Sequence, residues 1–174
     1  MTALGLVDTA AGTYVVRRAR PADVPALVAL LATDAVAATR GDSVDDLAPY
    51  ERAFAVIDAD PGQLLVCLDG PDGVTVGTLQ LTVVPGLSRS GATRAQIESV
   101  RVASGVRGAG LGTGFVRWAI DWARGQGCGL VQLTTDGTRH DAHRFYARLG
   151  FEQPTSGSSS CSRGEGSCIR RRSS

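Results

Sequence analysis

The stretch SVRVASGVRGAGLGTGFVRWA, from Ser99 to Ala119, constrains the fold more than any other part of this chain. Its first residues are rich in β-branched side chains and predict a strand, whereas Phe115 and Trp118 lie on an amphipathic segment that predicts a helix. Alternating glycines stand between the two segments, at Gly108, Gly110, Gly112 and Gly114. A glycine-rich turn between a strand and a helix is typical of a phosphate site, because unpaired N–H groups at the helix start donate to the anion.

Two common nucleotide-binding loops do not fit this stretch. The dinucleotide fingerprint needs the spacing G-x-G-x-x-G, and no three of the alternating glycines have it. The phosphate loop of nucleoside triphosphatases needs a lysine, and all 18 basic residues of this chain are arginines. The pattern that is left is Arg107-x-x-Gly110-x-Gly112, between a strand and a helix.

Strands and helices alternate along the rest of the chain. The run TYVVRRA predicts a strand, Asp23 opens a helix, and SVDDLAPYERAFAVIDAD predicts a second helix that ends before Pro61. The run QLLVCLDGPDGVTVGTLQLTVV predicts a hairpin around the Gly70–Gly73 turn, and LVQLTTD has the continuous apolar character of a buried strand. DAHRFYARLG predicts a last helix. The order β-α-α-β-β-β-α-β-α predicts an α/β fold with a mixed sheet flanked by helices.

A chain of 174 residues is about one domain, and its composition changes at Gln153. Residues 13–153 have the composition of a folded domain, whereas residues 154–174, PTSGSSSCSRGEGSCIRRRSS, hold few apolar side chains that could form a core. We therefore expect this Ser/Gly/Arg-rich tail to be disordered. The far edge of the strand LVQLTTD is then unpaired, or paired across a homodimer. Either the sheet ends early, or the tail is read from a shifted frame of a GC-rich gene.

Two segments resemble the signature motifs of the GNAT superfamily of N-acetyltransferases. RGAGLG, Arg107–Gly112, is similar to motif A, which holds the pyrophosphate of acetyl-CoA, and FYARLGF, Phe145–Phe151, is similar to motif B. QIESVRV resembles the fourth strand of the family and LVQLTTD the fifth. The resemblance covers Thr13–Phe151. It implies the acyl-CoA N-acyltransferase fold with its last strands lost or altered, and acetyl-CoA as the co-substrate.

The resemblance assigns acetyl-CoA to the glycine turn and to the strand before it. Glycines let the backbone approach the phosphates, N–H groups from Gly108 to Thr113 donate to phosphate oxygens, and Arg107 adds a fixed charge. The backbone of Val100–Val102 is implied to hold the thioester carbonyl. The alternative is a flexible turn with Arg107 in solvent. The predicted acetyl-CoA-binding residues are Val100, Arg101, Val102, Arg107, Gly108, Ala109, Gly110, Leu111, Gly112 and Thr113.

Acetyl transfer to an amine needs a base, a polarised carbonyl and an acid for the departing thiolate. Glu98 is the candidate base, because it shares strand parity with Val100 and Val102 and points to the same apolar, partly desolvated face unless a bulge intervenes. Tyr146 is the candidate acid, because the resemblance implies a tyrosine hydroxyl near the CoA sulfur. The alternatives are a surface glutamate and a packing tyrosine.

Together the motifs predict an N-acetyltransferase that moves an acetyl group from acetyl-CoA to the primary amine of a small molecule. The transfer is expected to be direct, without a covalent enzyme intermediate. The alternative is a non-catalytic acyl-CoA-binding or regulatory module that keeps the same fold. No charge pattern in the first two helices, or in the PGLSRSG loop, indicates which amine is the acceptor.

Composition argues against several other partners. The formal net charge of +1 predicts no binding to nucleic acid or to an anionic membrane, and no apolar run suggests a membrane span or a signal peptide. None of the four cysteines lies in a CxxC pair, which favours thiols in a reducing cytoplasm. His140, Asp141 and His143 mimic part of a metal site, but no third ligand is near in sequence, so we expect no metal.

Overall fold

The computed structural model describes residues 2–33, 44–108, 110–136, 140–152 and 166–172. Its strands are β1 (Ala3–Thr9), β2 (Gly12–Arg18), β3 (Gln63–Asp69), β4 (Thr75–Val84), β5 (Arg94–Val102), β6 (Leu130–Asp136) and β7 (Gly166–Arg172). Its helices are α1 (Val24–Ala32), α2 (Ala48–Ala59), α3 (Ser88–Gly91), α4 (Leu111–Gly125) and α5 (His140–Arg148). The described strands form one mixed sheet in the order β1 to β7. The predicted α/β class is therefore confirmed.

The strands pair in both directions, and the chain divides into two compact units. β1, β2 and β3 pair antiparallel in sequence, β5 and β6 pair in parallel, and β7 is antiparallel to β6. The first unit comprises Met1–Leu81 and Ser99–Trp118, and the second comprises Thr82–Glu98 and Ala119–Ser174.

In the first unit, α1 and α2 pack against the strand β3. Val24, Leu27 and Val28 recur at the spacing of one helix face, and Phe54 of α2 and Cys67 of β3 belong to the same buried cluster. Burial of each of the larger apolar side chains contributes about 1.5–3 kcal/mol to the stability of the fold. The hydrophobic spacing that predicted α1 is thus the spacing that builds this core.

The strand β1 also belongs to the first unit, although the predicted domain began only at residue 13. A Cβ added at Gly5 would collide with the Trp118 ring, and one added at Gly114 would collide with Val7, so β1 lies close against α4. Trp118 Nε1 donates to the Leu4 carbonyl at 3.4 Å. The hydrophobic pattern of Ala3–Thr9 did not predict a strand, because most of its apolar side chains are exposed, Leu4 by 41% and Leu6 by 58%.

The helix α4 has the amphipathic character that its sequence predicted. Phe115, Val116, Ala119, Ile120 and Ala123 are buried at helical spacing along one face. The helix ends just before a glycine with a left-handed φ of 74°, at position 127, as is common at a helix C-terminus. None of the helices in the described parts of the chain is long and apolar enough to cross a membrane.

In the second unit, β7 covers the edge of β6. The two strands pair residue by residue from Leu130–Arg172 to Asp136–Gly166, and Ile169 is buried opposite Leu133. The expected disorder is therefore wrong for Gly166–Arg172, and the expected open edge of β6 is wrong as well. A strand edge pairs through backbone groups, so a segment poor in apolar side chains can still join it. The other residues of the tail, 154–165 and 173–174, lie outside the described part of the chain.

Candidate active site

The glycine turn after β5 has the backbone that its sequence predicted. A short 3-10 turn at Ser104–Val106 leads to Gly108 and Gly110, whose φ angles are 95° and 77°. Residues with a Cβ rarely adopt this left-handed region, so both positions favour glycine. The helix α4 begins directly afterwards at the buried Leu111. Ala109, one of the predicted acetyl-CoA-binding residues, lies outside the described part of the chain.

The surface of this turn is open at both left-handed glycines. A Cβ placed on Gly108 or Gly110 would meet no atom within 4 Å from the described residues, apart from its neighbours in the chain. The first N–H groups of a helix have no carbonyl partner within the helix, so those that follow Gly110 are donors at this surface. Gly114 differs, because it packs against Val7 and its N–H donates to the Gly110 carbonyl at 3.0 Å. Gly108 and Gly110 therefore form an open turn, whereas Gly114 allows close packing against Val7.

Two arginines bind the carbonyls of the strand that precedes the turn. Arg107 is exposed and its Nε donates to the Val102 carbonyl at 3.0 Å, while Arg101 Nη1 donates to the Val100 carbonyl at 2.9 Å. Within the first unit, the structure thus brings Val100–Val102, Arg107 and the glycine turn together in one continuous segment.

A backbone irregularity in β5 changes the expected position of Glu98. Ser99 has a φ of 53°, which is uncommon for a residue with a side chain, and the regular alternation of the strand breaks there. Pairing with β6 runs from Arg94 to Ile97. Glu98 is exposed, so the partly desolvated environment predicted from strand parity is not observed. Such an irregularity leaves no local signal in the residue pattern.

Sequence reasoning missed an apolar pocket in the first unit. It has a volume of about 170 Å³ and lies between α1, α2 and the strands β3 to β5. Leu27 and Leu31 of α1 face it, as do Phe54 and Ile57 of α2, and Ser99 lies at its edge. No charged side chain lines it among the described residues. The two apolar helix faces were visible in the sequence, but they predicted only a closed core.

Ser99 connects this pocket to the predicted thioester strand. It lines the pocket and immediately precedes Val100–Val102. Thr78, also in the lining, is buried and its hydroxyl donates to the Val66 carbonyl at 2.8 Å. The pocket therefore offers mainly apolar contacts, and its lining includes the residue that precedes the strand assigned by the family resemblance to the acetyl group.

Tyr146 lies in the second unit within a cluster of aromatic rings. Its ring makes edge contacts with Phe145 and Phe151, at centroid distances of 5.0 and 5.8 Å, and the residue is 9% exposed. The three aromatic residues of FYARLGF therefore pack against one another. They hold the Tyr146 ring in one orientation, which a proton donor also requires.

The described thiols are poor nucleophiles. Cys67 and Cys128 are buried free thiols, and burial raises the pKa of Cys67 to about 12 and also raises that of Cys128. The thiolate is the reactive form of cysteine, and a raised pKa keeps both thiols protonated near neutral pH, so neither is suited to attack an acetyl thioester. The described residues contain no group of three His, Cys, Asp or Glu side chains arranged to hold a metal ion.

Comparison with known proteins places this arrangement in a family. The sequence profile of the acetyltransferase (GNAT) family matches residues 27–151. The chain belongs to the GNAT family. The match includes the glycine turn, the strand before it and the motif at Phe145–Phe151, which are the segments whose resemblance suggested this family.

Individual relatives of this GNAT chain agree with the assignment. Streptothricin acetyltransferase from Streptomyces lavendulae is 31% identical across 84% of this chain and 85% of its own length. Aminoalkylphosphonate N-acetyltransferase from Salmonella typhimurium is 40% identical, but over 33% of this chain and 38% of its own length. A crystal structure of a transcriptional regulator from Bacillus halodurans C-125 has a TM-score of 0.77 at 38% identity, covering 84% of this chain and 98% of that one. Two of these relatives are thus named as acetyltransferases, and the third shares the fold.

Proposed function

We propose that this GNAT chain is an acetyl-CoA-dependent N-acetyltransferase that acetylates the primary amine of a small molecule. The observation that carries the proposal is the turn at Gly108 and Gly110, where left-handed backbone, open space and the start of α4 occur together. The family match and the named transferase activities of the relatives favour catalysis over a module that only binds acyl-CoA.

The residues present fit the phosphates of acetyl-CoA. The proposed phosphate ligands are the N–H groups of Gly108–Thr113, supported by the positive end of the helix, with Arg107 as a fixed charge beside them. We propose that the backbone of Val100–Val102 holds the thioester carbonyl. No other segment of the first unit combines open left-handed glycines with a helix start, as far as its described residues go.

Direct transfer is the mechanism that the side chains favour. The amine nitrogen attacks the thioester carbon, a C–N bond forms, the C–S bond breaks, and the amine loses one proton while the departing thiolate gains one. We propose Tyr146 as the donor of that proton to sulfur and Glu98, directly or through water, as the acceptor of the amine proton. The exposure of Glu98 suits a route through water. The raised pKa values of the buried Cys67 and Cys128 thiols argue against an acetyl group on either of these two described cysteines.

We propose that the acceptor enters through the apolar pocket next to Ser99 and carries an apolar substituent. The pocket lining is uncharged among the described residues, so it cannot pair with a second ammonium group, and burying such a charge without a partner is costly. The names of the relatives, an aminoalkylphosphonate and a streptothricin transferase, agree with a small amine but do not specify this one. The buried free thiols agree with a reducing cytoplasm as the proposed location.

A screen of amines with detection of released CoA thiol tests the proposal. Alkyl and arylalkyl amines are compared with diamines and amino sugars, and we expect the lowest KM for monoamines with an apolar group. Glu98→Gln is assayed on the best acceptor over a range of pH. If the folded protein binds acetyl-CoA but releases no thiol with any amine above the rate without acceptor, the binding-module alternative replaces catalysis.

A further inference from the structure

The second unit contains a polar pocket with an unusual concentration of positive charge. It has a volume of about 330 Å³ and lies where the first residues of β5 and β6 meet the end of β7. We call it the arginine pocket, after Arg89, Arg94 and Arg170, which line it. Gln132 and two hydroxyl side chains complete its polar lining, which contains no carboxylate among the described residues. Glu152, an exposed residue outside the lining, pairs with Arg170 on the other side of β7.

Strand register explains why two of these arginines share one face. Gln132 of β6 pairs with Gln96 of β5 on one side and with Arg170 of β7 on the other. Arg94 lies two residues before Gln96, and residues two apart in a strand point to the same face. Gln132 Nε2 donates to Gln96 Oε1 at 2.7 Å, which fixes the orientation of that amide. The face therefore presents a fixed amide and two guanidinium groups from the strands on either side of β6.

Arg89 reaches the pocket from α3, a single turn with a strained backbone. Arg89 and Ser90 have φ angles of 56° and 60°, so two consecutive residues with side chains occupy the left-handed region. A conformation of this kind costs free energy and is typically retained where it positions a group that is used. Here the strained turn carries the third guanidinium to the pocket.

The lining of the arginine pocket contains three guanidinium groups and, among its described residues, no carboxylate. Three guanidinium groups around one cavity repel one another, and the described lining supplies no negative charge. Arg170 Nε is buried and has no hydrogen-bond acceptor among the described groups. A guanidinium presents its donors in a planar fork that matches two oxygens of a phosphate or sulfate. A bound oxyanion would offset the repulsion and use these donors.

We propose that the arginine pocket binds a tetrahedral oxyanion with two negative charges, such as a phosphate group. The shape of the guanidinium forks and the number of positive charges both favour this class over a monovalent anion. The lining residues lie outside both segments that resemble the family motifs. The proposal is therefore independent of the N-acetyltransferase activity proposed above.

Isothermal titration of the full chain with inorganic phosphate, in chloride buffers of matched ionic strength, tests this site. We expect one saturable event that weakens about tenfold or more in Arg94→Gln and in Arg170→Gln. Arg172→Gln removes an exposed arginine of the same strand and should change the affinity less than about twofold. Parallel titrations with sulfate and with glycerol phosphate distinguish a site for free anions from one for a phosphate ester.

The glycine turn is the second place where phosphate could bind, so Gly110→Val is titrated as well. Phosphate binding that persists in Gly110→Val and is weakened in the arginine variants supports the arginine pocket. Binding that is lost in Gly110→Val and unchanged in the arginine variants, or the absence of any saturable binding, overturns it. Circular dichroism confirms folding, and if Arg170→Gln does not fold, Arg94→Gln and Arg89→Gln decide the result.

Discussion

Arg17 and Asp69 form a buried ion pair in the first unit, with Arg17 Nε donating to Asp69 Oδ2 at 2.6 Å. The other side of the Arg17 guanidinium donates to both carboxylate oxygens of Asp23, at 2.6 and 2.9 Å. Thr75 adds a hydroxyl that donates to Asp69 Oδ1 at 2.8 Å. One arginine thus ties β2 to the turn before α1 and to the β3–β4 hairpin.

Replacing Arg17 with methionine should destabilise the protein strongly. Both carboxylates would lose their partner in a buried position, and breaking a buried pair in this way costs about 3–5 kcal/mol. Arg18→Met is the matched control, because Arg18 pairs with Asp58 at 3.7 Å and both side chains are about half exposed. The control should cost less than about 1 kcal/mol. Urea denaturation measures both, and similar losses in the two variants would contradict the argument.

The contact of Arg17 with Asp23 predicts how stability depends on pH. The hydrogen bond from Arg17 outweighs the effect of burial and lowers the pKa of Asp23 below its ordinary value. A carboxyl whose pKa is lower in the folded state contributes stability above its unfolded pKa, about 3.9, and loses it as the pH falls through the folded pKa. The difference in unfolding free energy between the parent and Asp23→Asn should therefore shrink below about pH 4. A difference that stays constant into that range would contradict the assignment.

Gly110→Val should weaken acetyl-CoA binding while the protein stays folded. A Cβ at this position meets no atom within 4 Å from the described residues beyond its chain neighbours, so the added side chain occupies the open surface of the turn. We therefore expect at least about a tenfold loss of affinity by calorimetry. Gly127→Val is the matched control, since Gly127 also has a left-handed φ and open surroundings. Both should lose about 1–2 kcal/mol of stability from backbone strain. Unchanged affinity in folded Gly110→Val would remove the turn from the binding site.

Tyr146→Phe should lower kcat by about 100-fold with little change in the affinity for acetyl-CoA, if the hydroxyl donates a proton to the thiolate. The substitution keeps the ring contacts with Phe145 and Phe151. Tyr14→Phe, at a buried tyrosine of β2, controls for the loss of a hydroxyl elsewhere. Steady-state kinetics with thiol detection measures both. Equal turnover in Tyr146→Phe and the parent would leave Tyr146 with a packing role only.

Ile169→Ala should destabilise the protein by about 2–4 kcal/mol, because Ile169 is 3% exposed and pairs with the buried Leu133 across β6 and β7. Val56→Ala is the control, because Val56 is 72% exposed. Hydrogen exchange should show protected amides in β7 of the parent. Rapid exchange throughout Gly166–Arg172, together with an unchanged stability of Ile169→Ala, would return this segment to the disordered state that its composition suggests.

Local chemistry made much of the first unit predictable. The hairpin of β3 and β4 follows from the Gly70–Gly73 turn, where the Gly73 N–H donates to the Gly70 carbonyl at 2.9 Å. The glycine turn and α4 were predictable for the same reason, because left-handed backbone and helical spacing depend on residues close in sequence. The apolar pocket was not, because a helix face that lines a cavity has the same residues as one that packs shut.

The sequence by itself determined those features whose causes lie within a few residues: the strands β2 to β6, the longer helices, the open glycines of the turn, and the FYARLGF motif. Only the tertiary structure decided that Arg17 meets Asp69, at a separation of 52 positions, and that Ser99 interrupts β5 beside a pocket. It also decided that Gly166–Arg172 is a strand, since the edge of β6 supplies the backbone partners. The physical reason is that hydrogen bonds and ion pairs between distant segments form only where the fold brings those segments together. A local residue pattern does not contain that information.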